Sequence, residues 1–248
     1  MSTATADTLR IQERFVSVQG EGALVGVASS FVRISGCNLR CVWCDTPRTS
    51  WAPEGEREQL GALLEWCAEG PRHVVVTGGE PLLFSASASL CRGLRAAGHH
   101  VTVETAGTVW CEGLEADLIS ISPKLGHSTP WARAKAEAKP SLAQMHERAR
   151  LDHAVLRRLL ADFEWQLKFV VRAGDAAALR EDLVEIEALL AELQIPSAQR
   201  ERVLLMPEGT DSASLHAGYR RLVEACVSAG MRIGLRLHID LFGHTPGT

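Results

Sequence analysis

The sequence lacks an excess of basic charge and any long apolar run, and both absences narrow its function. Its 248 residues include 26 Lys and Arg against 30 Asp and Glu, a formal net charge of −4. This charge does not favour the phosphate backbone of a nucleic acid as a partner. No stretch approaches the roughly 18 consecutive apolar residues of a membrane span. We therefore expect no nucleic-acid partner and no membrane partner.

The first residues also lack the features of a targeting sequence. "MSTATADTLRIQERF" has neither a basic segment nor the apolar segment that follows it in a secretory signal. It therefore predicts no signal peptide, and we expect a cytoplasmic protein.

Strand-like apolar stretches alternate with amphipathic segments along the chain. The strand-like stretches span residues 29–35, 72–77, 100–105, 117–122, 165–171, 202–206 and 231–239. The amphipathic segments span 57–69, 85–98, 151–163, 175–194 and 211–230. This alternation predicts an α/β fold with parallel strands, in an open sheet or a barrel.

The chain is expected to form a single domain over residues 1–248, since its length is sufficient for one sizeable core. Residues 126–160 are charged and poor in strand formers. They predict a partly helical excursion over one face, which is either a lid or a solvated connector.

The seven cysteines are an odd number in a chain with no sign of secretion, so a disulfide framework is not expected. Cys67, Cys91 and Cys226 lie among Leu, Ala and Val at helical spacing, which predicts thiols packed in the core. The sequence around Cys111 does not indicate whether its thiol is packed in the core.

The other three cysteines crowd into the loop "GCNLRCVWCDTP" at residues 36–47, directly after a predicted strand. Parallel-sheet proteins place ligand sites at such positions. A structural zinc site needs four ligands, and no paired fourth ligand lies nearby. Three thiolates on an iron–sulfur cluster would leave one iron open to a further ligand. A zinc knuckle or a fortuitous group of thiols is the alternative.

The spacing C-x3-C-x-Trp-C in this loop resembles the signature of the radical S-adenosylmethionine superfamily, and "TGGEP" at residues 77–81 resembles its glycine-rich segment. Alone, "TGGEP" equally suits a helix entry with proline at the first position. The resemblance implies a 4Fe-4S cluster held by Cys37, Cys41 and Cys44, whose open iron binds S-adenosylmethionine. In that superfamily, an electron from the cluster cleaves this cofactor to a 5′-deoxyadenosyl radical.

A longer resemblance narrows the family. "FVSVQGEGALVGVASSFVRISGCNLRCVWCDTP" is similar to the opening of the 7-carboxy-7-deazaguanine synthase family. Further matches in the family's order are "TGGEPLL", "VETAGT", "SPKL", "QLKFVV", "LLMPEG" and "RLHIDLFG". The resemblance implies an incomplete parallel (β/α) barrel of six parallel strands, with fewer or shortened helices. It also implies radical ring contraction of 6-carboxy-5,6,7,8-tetrahydropterin with loss of ammonia, in queuosine or deazapurine biosynthesis.

The resemblance implies substrate contacts at Val18, Gln19, Gly20 and Glu21, and the side chains of Gln19 and Glu21 suit the pyrimidinone edge. A carboxylate accepts paired N–H donors well, and the glycines of "QGEG" allow a close backbone approach. On its own this segment is an ordinary turn. Arg33 lies in the middle of a strand, where a buried charge is costly unless paired. Either a bidentate bond to the substrate carboxylate or a structural salt bridge would pair it.

Two further positions match family contacts to the substrate, and a third is a candidate for a polar or proton-relay role. Thr77 would touch the substrate, and His238 would reach it from the last strand, although a core histidine with satisfied bonds is the alternative. Glu104 is a candidate for a proton relay. We expect Glu104 and His238 to be the catalytic side chains.

The remaining matches concern the cofactors. The resemblance implies S-adenosylmethionine contacts at Gly79, Ser122, Pro123, Lys124, Met206, Pro207, Glu208 and Gly209. It implies a Mg²⁺ contact at the hydroxyl of Thr46, since magnesium takes few protein ligands. Without the resemblance, "DTP" is merely a turn, and a lysine after a strand is usually solvated.

The expected partners are the pterin substrate, a reductant protein such as flavodoxin or ferredoxin, and a second copy in a homodimer. The C-terminal segment departs from the family pattern at Ile239, Asp240 and Phe242. A glycyl-radical activating enzyme and a non-enzymatic zinc or iron–sulfur module are the rival hypotheses. The pterin-matching "QGEG" segment and Arg33 argue against the first. The second needs only the cysteines and leaves the downstream glycine segment, "SPK" and His238 unexplained.

Overall fold

The structure is a computed structural model and describes residues 8–248. One nine-stranded sheet runs through it in the order β3-β1-β2-β4-β5-β6-β7-β8-β9. The strands are β1 (Thr8–Val18), β2 (Ala28–Ile34), β3 (Glu56–Gln59), β4 (His73–Gly78), β5 (His100–Thr105), β6 (Leu118–Ile121), β7 (Trp165–Val171), β8 (Val203–Pro207) and β9 (Arg232–Ile233).

Helices connect the strands. They are α1 (Pro47–Ser50), α2 (Leu60–Ala68), α3 (Ser85–Ala96), α4 (Trp131–Ala136), α5 (Pro140–Ala149), α6 (His153–Asp162), α7 (Ala176–Glu192), α8 (Ser212–Ala229) and α9 (Leu237–Phe242). Within residues 8–248, no helix is both long and apolar enough to cross a membrane.

The expected parallel sheet is confirmed from β2 to β9, where every neighbouring pair is parallel. The end strands β3 and β9 do not pair with each other in the described part of the chain, so the barrel is incomplete. Two strands were not predicted: β1 pairs antiparallel with β2, and β3 pairs antiparallel with β1. Residues 57–59 therefore lie in β3 and not in the expected helix.

The prediction of a strand over 231–239 is wrong beyond its first residues. β9 contains only Arg232 and Ile233, and His238 lies in helix α9. The chain turns because the amide of Arg236 donates to the hydroxyl of Tyr219, and that of Leu237 donates to the carbonyl of Gly20. These two contacts direct the segment away from the sheet.

The core lies between the sheet and its outer helices. Cys67, Cys91 and Cys226 are buried in it among aliphatic side chains, as predicted, and so is Cys111. The apolar runs of the parallel strands are buried because helices cover them.

Helix ends follow the expected chemistry. The carboxylates of Asp175 and Asp211 accept backbone N–H groups at the starts of α7 and α8. Gly98 and Gly230 have positive φ angles just after α3 and at the end of α8.

The excursion at 126–160 contains a 3-10 turn (Gly126–Ser128) and the helices α4, α5 and most of α6. It packs on the cysteine loop. The carbonyl of Ser128 accepts the amide of Val42, and the ring of His146 accepts the amide of Arg40. Arg133 also covers the ring of Trp51, with 3.7 Å between its guanidinium carbon and the ring centre.

A close backbone contact joins the cysteine loop to the turn after β4. The amide of Glu80 donates to the carbonyl of Gly36 at 2.9 Å. A Cβ at Gly79 would lie 2.3 Å from that carbonyl oxygen and 2.8 Å from the Cβ of Cys37. The second glycine of "TGGEP" is therefore required for space at this contact.

We expect Gly79→Ala to push the cysteine loop away from β4. Because the clash is with backbone, the cost in unfolding free energy should be about 1–3 kcal/mol. The iron bound per chain after anaerobic reconstitution should also fall. Urea denaturation and iron analysis measure the two effects.

Gly61→Ala is the matched control, because a Cβ there meets nothing within 4 Å on exposed helix α2. This change should leave the iron content unchanged and stabilise the fold by about 0.5–1 kcal/mol. A Gly79→Ala protein with unchanged stability and full iron content would contradict the role of the contact.

Candidate active site

A cavity of about 710 Å³ opens at the carboxyl ends of the parallel strands. Its volume is within the roughly 300–1,000 Å³ typical of small-molecule sites. Every predicted substrate, metal and catalytic residue lines it, as do all predicted cofactor residues except Pro123 and Pro207. The structure thus brings together side chains that are up to 220 positions apart, from Val18 to His238.

The three cysteines of the loop face this cavity from one side. Gly36 enters the loop at a φ of 122°, which favours glycine, and its amide donates to the carbonyl of Thr49. The amide of Leu39 donates to the sulfur of Cys37 at 3.3 Å, and the hydroxyl of Ser50 lies 3.2 Å from the sulfur of Cys44.

Burial governs the protonation of these thiols. It raises the pKa of Cys37 to about 11 and that of Cys41 to about 12. Both are therefore protonated at neutral pH in the free chain, and metal binding must release their protons.

The donor set fits an iron–sulfur cluster. Within residues 8–248, no group of three or more His, Cys, Asp or Glu side chains is arranged to hold a single metal ion. A cluster does not need such convergence, because each thiolate binds a different iron. Three soft sulfur donors on the wall of a cavity suit a cluster with one iron left for a further ligand.

Glu80 connects the glycine turn to the next strand. Its buried carboxylate accepts the hydroxyl of Thr105 at 2.8 Å and the amides of Leu82 at 3.0 Å and Ala106 at 2.8 Å. Burial raises the pKa of Glu80, and these three donors oppose the shift. The ends of β4 and β5 are held together by this one side chain.

A cluster of paired charges, of which Lys168 is the most buried, lines another part of the cavity. The ammonium group of Lys168 donates to Glu21 at 2.8 Å and to Glu104 at 3.3 Å. Burial alone would raise the pKa of Glu21, but Lys168 and Arg236 outweigh it and hold this pKa far below its ordinary value. Burial would lower the pKa of Lys168, but Glu104 and Glu21 raise it. Both partners are therefore charged at neutral pH.

Arg236 extends this charge cluster towards the cysteine loop. Its guanidinium donates to Glu21 at 3.2 Å, to Asp45 at 2.5 Å and to the carbonyl of Gly209 at 2.6 Å. The carboxylate of Asp45 is therefore engaged in an ion pair beside Thr46.

The "QGEG" turn is fixed by backbone bonds between Gln19 and residues 26–27. The side chain of Gln19 donates to Glu104 at 3.4 Å, and that of Thr77 donates to the other oxygen of Glu104 at 2.9 Å. A Cβ at Gly20 would lie 2.0 Å from the ring of His238, so only glycine fits under this histidine. Burial lowers the pKa of His238, which favours the neutral imidazole.

Arg33 has a partner of its own within the protein. Its Nε donates to the carboxylate of Glu13 at 2.7 Å, and its guanidinium lies 5.8 Å from the ring of Phe15. Among residues 8–248, no hydrogen bond engages its two terminal nitrogens. The salt bridge anticipated as an alternative is therefore present, and a face of the guanidinium remains for a ligand.

Thr46 lies at the start of α1, with its side chain on the cavity. Its hydroxyl accepts a weak bond from Thr49 at 3.4 Å and lies 3.9 Å from the sulfur of Cys44. A single neutral oxygen suits an ion such as Mg²⁺, which keeps waters or ligand oxygens in its other positions.

The "SPK" segment follows β6. The ammonium of Lys124 donates to the hydroxyl of Ser122 at 2.8 Å and lies 5.4 Å from the ring centre of Trp43. Pro123 is buried and does not line the cavity. Lys124 therefore lies over the cysteine loop.

The segment at the end of β8 and just after it also lines the cavity with all of its predicted cofactor residues except the proline. Met206, Glu208 and Gly209 line the cavity, whereas Pro207 packs against Gly218 of α8. In both segments the proline faces the supporting structure.

Sequence reasoning missed Lys168, Arg236, Ser50 and Glu80 as site residues. The first has a readable signal: a lysine within the apolar strand "WQLKFVV" is costly unless paired, the argument that singled out Arg33. The other three have no comparable signal, because their partners come from distant segments.

Comparisons with known proteins agree with this geometry. A family model for the radical SAM superfamily matches residues 31–127. A 7-carboxy-7-deazaguanine synthase of Rhodopirellula baltica is 44% identical over 247 residues, with 99% of this chain and 91% of the relative covered. One of Halobacterium salinarum is 42% identical, with 97% and 93% covered.

Solved structures support the fold. A crystal structure of QueE from Escherichia coli superposes with a TM-score of 0.67 at 23% identity, covering 93% of this chain and 95% of that chain. A structure of TYW1 with a lysine-pyruvate adduct bound has a TM-score of 0.53 at 12% identity, covering 81% and 72%.

An open parallel sheet with a three-cysteine loop after its first parallel strand, together with these matches, defines a radical SAM enzyme. The near full-length similarity is more specific. The chain belongs to the 7-carboxy-7-deazaguanine synthase family.

We expect Lys168→Met to destabilise the fold by about 3–5 kcal/mol, because it leaves the half-buried Glu104 without its cation and Glu21 with Arg236 alone. Urea denaturation measures the change. Lys139→Met is the matched control, since Lys139 forms only an exposed pair with Glu137. That change should stay within about 0.5 kcal/mol of the parent.

The effect should also depend on pH. The folded pKa of Glu21 is depressed below 4.5, so its contribution is present above this value and lost as pH falls. The folded pKa of Lys168 is raised above 10.5, so its contribution is present below this value and lost as pH rises. The stability difference between parent and Lys168→Met should be largest from roughly pH 5 to pH 10. If the difference in unfolding free energy between the two proteins stays the same as the pH falls below 4.5, the pair of Glu21 and Lys168 does not control stability.

Proposed function

We propose that this chain is a 7-carboxy-7-deazaguanine synthase that converts 6-carboxy-5,6,7,8-tetrahydropterin to 7-carboxy-7-deazaguanine with release of ammonia. It would act as a radical carbon–nitrogen lyase through a heterocyclic rearrangement. The observation that carries the proposal is the placement of three cysteine thiols and a buried carboxylate–lysine–arginine cluster on one cavity, in a chain similar to this family over nearly its full length.

Cys37, Cys41 and Cys44 would hold the 4Fe-4S cluster. Gly79, Ser122, Lys124, Met206, Glu208 and Gly209 line the cavity and would contact S-adenosylmethionine, whereas Pro123 and Pro207 would support their segments from outside the cavity lining. When bound, these groups supply a radical able to abstract a hydrogen atom. The cavity walls would exclude water from it.

The substrate would lie against the buried charge cluster. The Glu21 carboxylate, with Gln19 beside it, can accept the paired N–H donors of the pyrimidinone edge, while the backbone of Val18 and Gly20 lets the ring approach. Thr77 and Glu104 are already hydrogen-bonded to each other at 2.9 Å.

Two side chains are placed to move protons. Glu104 contacts Gln19, Thr77 and Lys168, so a proton on its carboxyl would be exchanged within a connected network. Burial lowers the pKa of His238, which favours the neutral imidazole, and this ring on the cavity wall would accept or donate a proton.

The substrate carboxylate would bind Arg33 through the terminal nitrogens that Glu13 leaves free. A Mg²⁺ ion at the hydroxyl of Thr46 would hold the same carboxylate from the other side. The two contacts would fix the rearranging atoms in one orientation.

A single domain over 1–248, a homodimer and an electron-donating protein such as flavodoxin or ferredoxin belong to the same proposal. The product would serve queuosine or another deazapurine pathway.

The direct test is an anaerobic reaction with reconstituted protein, reductant, S-adenosylmethionine, Mg²⁺ and the tetrahydropterin acid, read by mass spectrometry. We expect the deazaguanine acid to appear without stoichiometric loss of S-adenosylmethionine. Cys41→Ala should lose cluster and product, whereas Cys226→Ala, a buried thiol of the core, should keep both. Cleavage of S-adenosylmethionine without conversion of the pterin would contradict the proposed substrate.

Arg33→Ala should abolish pterin turnover while the reductive cleavage of S-adenosylmethionine persists, because the change removes only the anchor of the substrate carboxylate. Arg14→Ala is the control, since Arg14 pairs with Glu58 and does not line the cavity. Steady-state kinetics of both reactions separate the two effects. Unimpaired pterin turnover in Arg33→Ala would show that Arg33 serves only its salt bridge with Glu13.

A further inference from the structure

Ser50 places a buried hydroxyl against one cysteine of the loop. It is the last residue of α1, is 2% exposed, and its Oγ lies 3.2 Å from the sulfur of Cys44. Among residues 8–248, this hydroxyl has no other hydrogen-bond partner. Because buried polar groups are almost always hydrogen-bonded, the contact with Cys44 is the one that satisfies the Ser50 hydroxyl.

The neighbouring hydroxyl shows that this contact is specific. Thr49 is also buried on α1, but its Oγ1 donates to the carbonyl of Thr46 at 2.8 Å, within the turn. The four-residue helix therefore uses one hydroxyl for its own backbone and points the next one at Cys44.

Metal binding would fix the direction of the Ser50 bond. A free thiol could donate or accept here, but an iron-bound cysteine sulfur carries no proton. The hydroxyl of Ser50 must then donate to it. Hydrogen bonds to the sulfurs of an iron–sulfur cluster are among the factors that set its reduction potential.

The three cysteine sulfurs differ in the hydrogen-bond donors that lie near them. The sulfur of Cys37 accepts the amide of Leu39 at 3.3 Å, a bond that mutation of the Leu39 side chain does not remove. In the described part of the chain, Cys41 has no donor to its sulfur. Among the described residues, Ser50 is thus the one side chain whose hydroxyl hydrogen-bonds a cysteine sulfur of the loop within 3.5 Å; the hydroxyl of Thr46 lies 3.9 Å from the same sulfur.

We propose that Ser50 is a positioning residue that donates a hydrogen bond to the Cys44 sulfur and thereby eases one-electron reduction of the bound cluster. The donor offsets part of the negative charge that reduction adds at the sulfur, so the reduced state gains more from the bond than the oxidised state. The inference rests on the proposed function, since it requires the cluster to be held by these cysteines.

The test is a potentiometric titration of the reconstituted holoenzyme, followed by electron paramagnetic resonance of the reduced cluster. In Ser50→Ala, the ratio of reduced to oxidised cluster at a fixed potential should fall roughly tenfold, equivalent to about 59 mV for a one-electron couple. Ser50→Thr keeps the hydroxyl and should restore most of the ratio.

Ser29→Ala is the matched control. Ser29 is similarly buried, but its hydroxyl donates to the carbonyl of Val27 and forms no hydrogen bond with a cysteine among residues 8–248. The ratio should be unchanged in this variant. An unchanged ratio in Ser50→Ala with a full cluster would overturn the proposal, as would an equal shift in Ser29→Ala.

Iron and sulfide analysis covers the case in which Ser50→Ala folds but binds no cluster. Recovery of the cluster in Ser50→Thr would then support the hydroxyl's role, and failure to recover it would overturn that role. Absence of a cluster in the parent protein itself would instead contradict the proposed function, so the two failures are distinguishable.

Discussion

The contact between the cysteine loop and the turn after β4 is the constraint on which the site depends. The amide of Glu80 reaches the carbonyl of Gly36, and no side chain at Gly79 could fit between the two segments. This approach directs the side chain of Glu80 inward, where its carboxylate takes donors from Thr105 and Ala106. Hydrogen bonds of Glu80 thus connect the ends of three neighbouring strands, β2, β4 and β5. The thiols are positioned by backbone geometry before any metal is bound.

The charge cluster of Lys168, Glu21, Glu104 and Arg236 combines stability with room for a ligand. An ionised carboxylate offers about four acceptor positions, and Glu21 uses one oxygen for Lys168 and the other for Arg236. Its remaining lone pairs can accept a ligand's N–H donors without breaking either ion pair. The protein therefore does not have to exchange its own salt bridges for substrate contacts. Pairing the charges in advance also offsets part of the penalty of burying an isolated carboxylate.

Parallel strands were predictable because burial on both faces makes them continuous apolar runs, as in 72–77 and 165–171. β1, which lies between β3 and β2, escaped prediction because polar and charged residues interrupt its apolar positions. The turn into α9 depends on bonds to Tyr219 and Gly20, which no local pattern shows. The site residues that could be predicted from the sequence lie in short contiguous motifs, such as the cysteine loop and "QGEG". Contacts across the fold, such as that of Arg236 with Asp45 and Glu21, depend on partners about 200 positions away.

The excursion at 126–160 supports the outer side of the cysteine loop. A loop that presents its thiols inward leaves backbone donors on its other side, and these need partners when buried. The ring of His146 accepts the amide of Arg40 at Nδ1, so its proton lies on Nε2 and is donated to Ser128. Burial lowers the pKa of His146 to about 4, which keeps Nδ1 free to accept at neutral pH. Ser128 in turn accepts the amide of Val42 with its carbonyl. The excursion thus supplies acceptors to the loop's backbone, and so it secures the orientation of the thiols from behind.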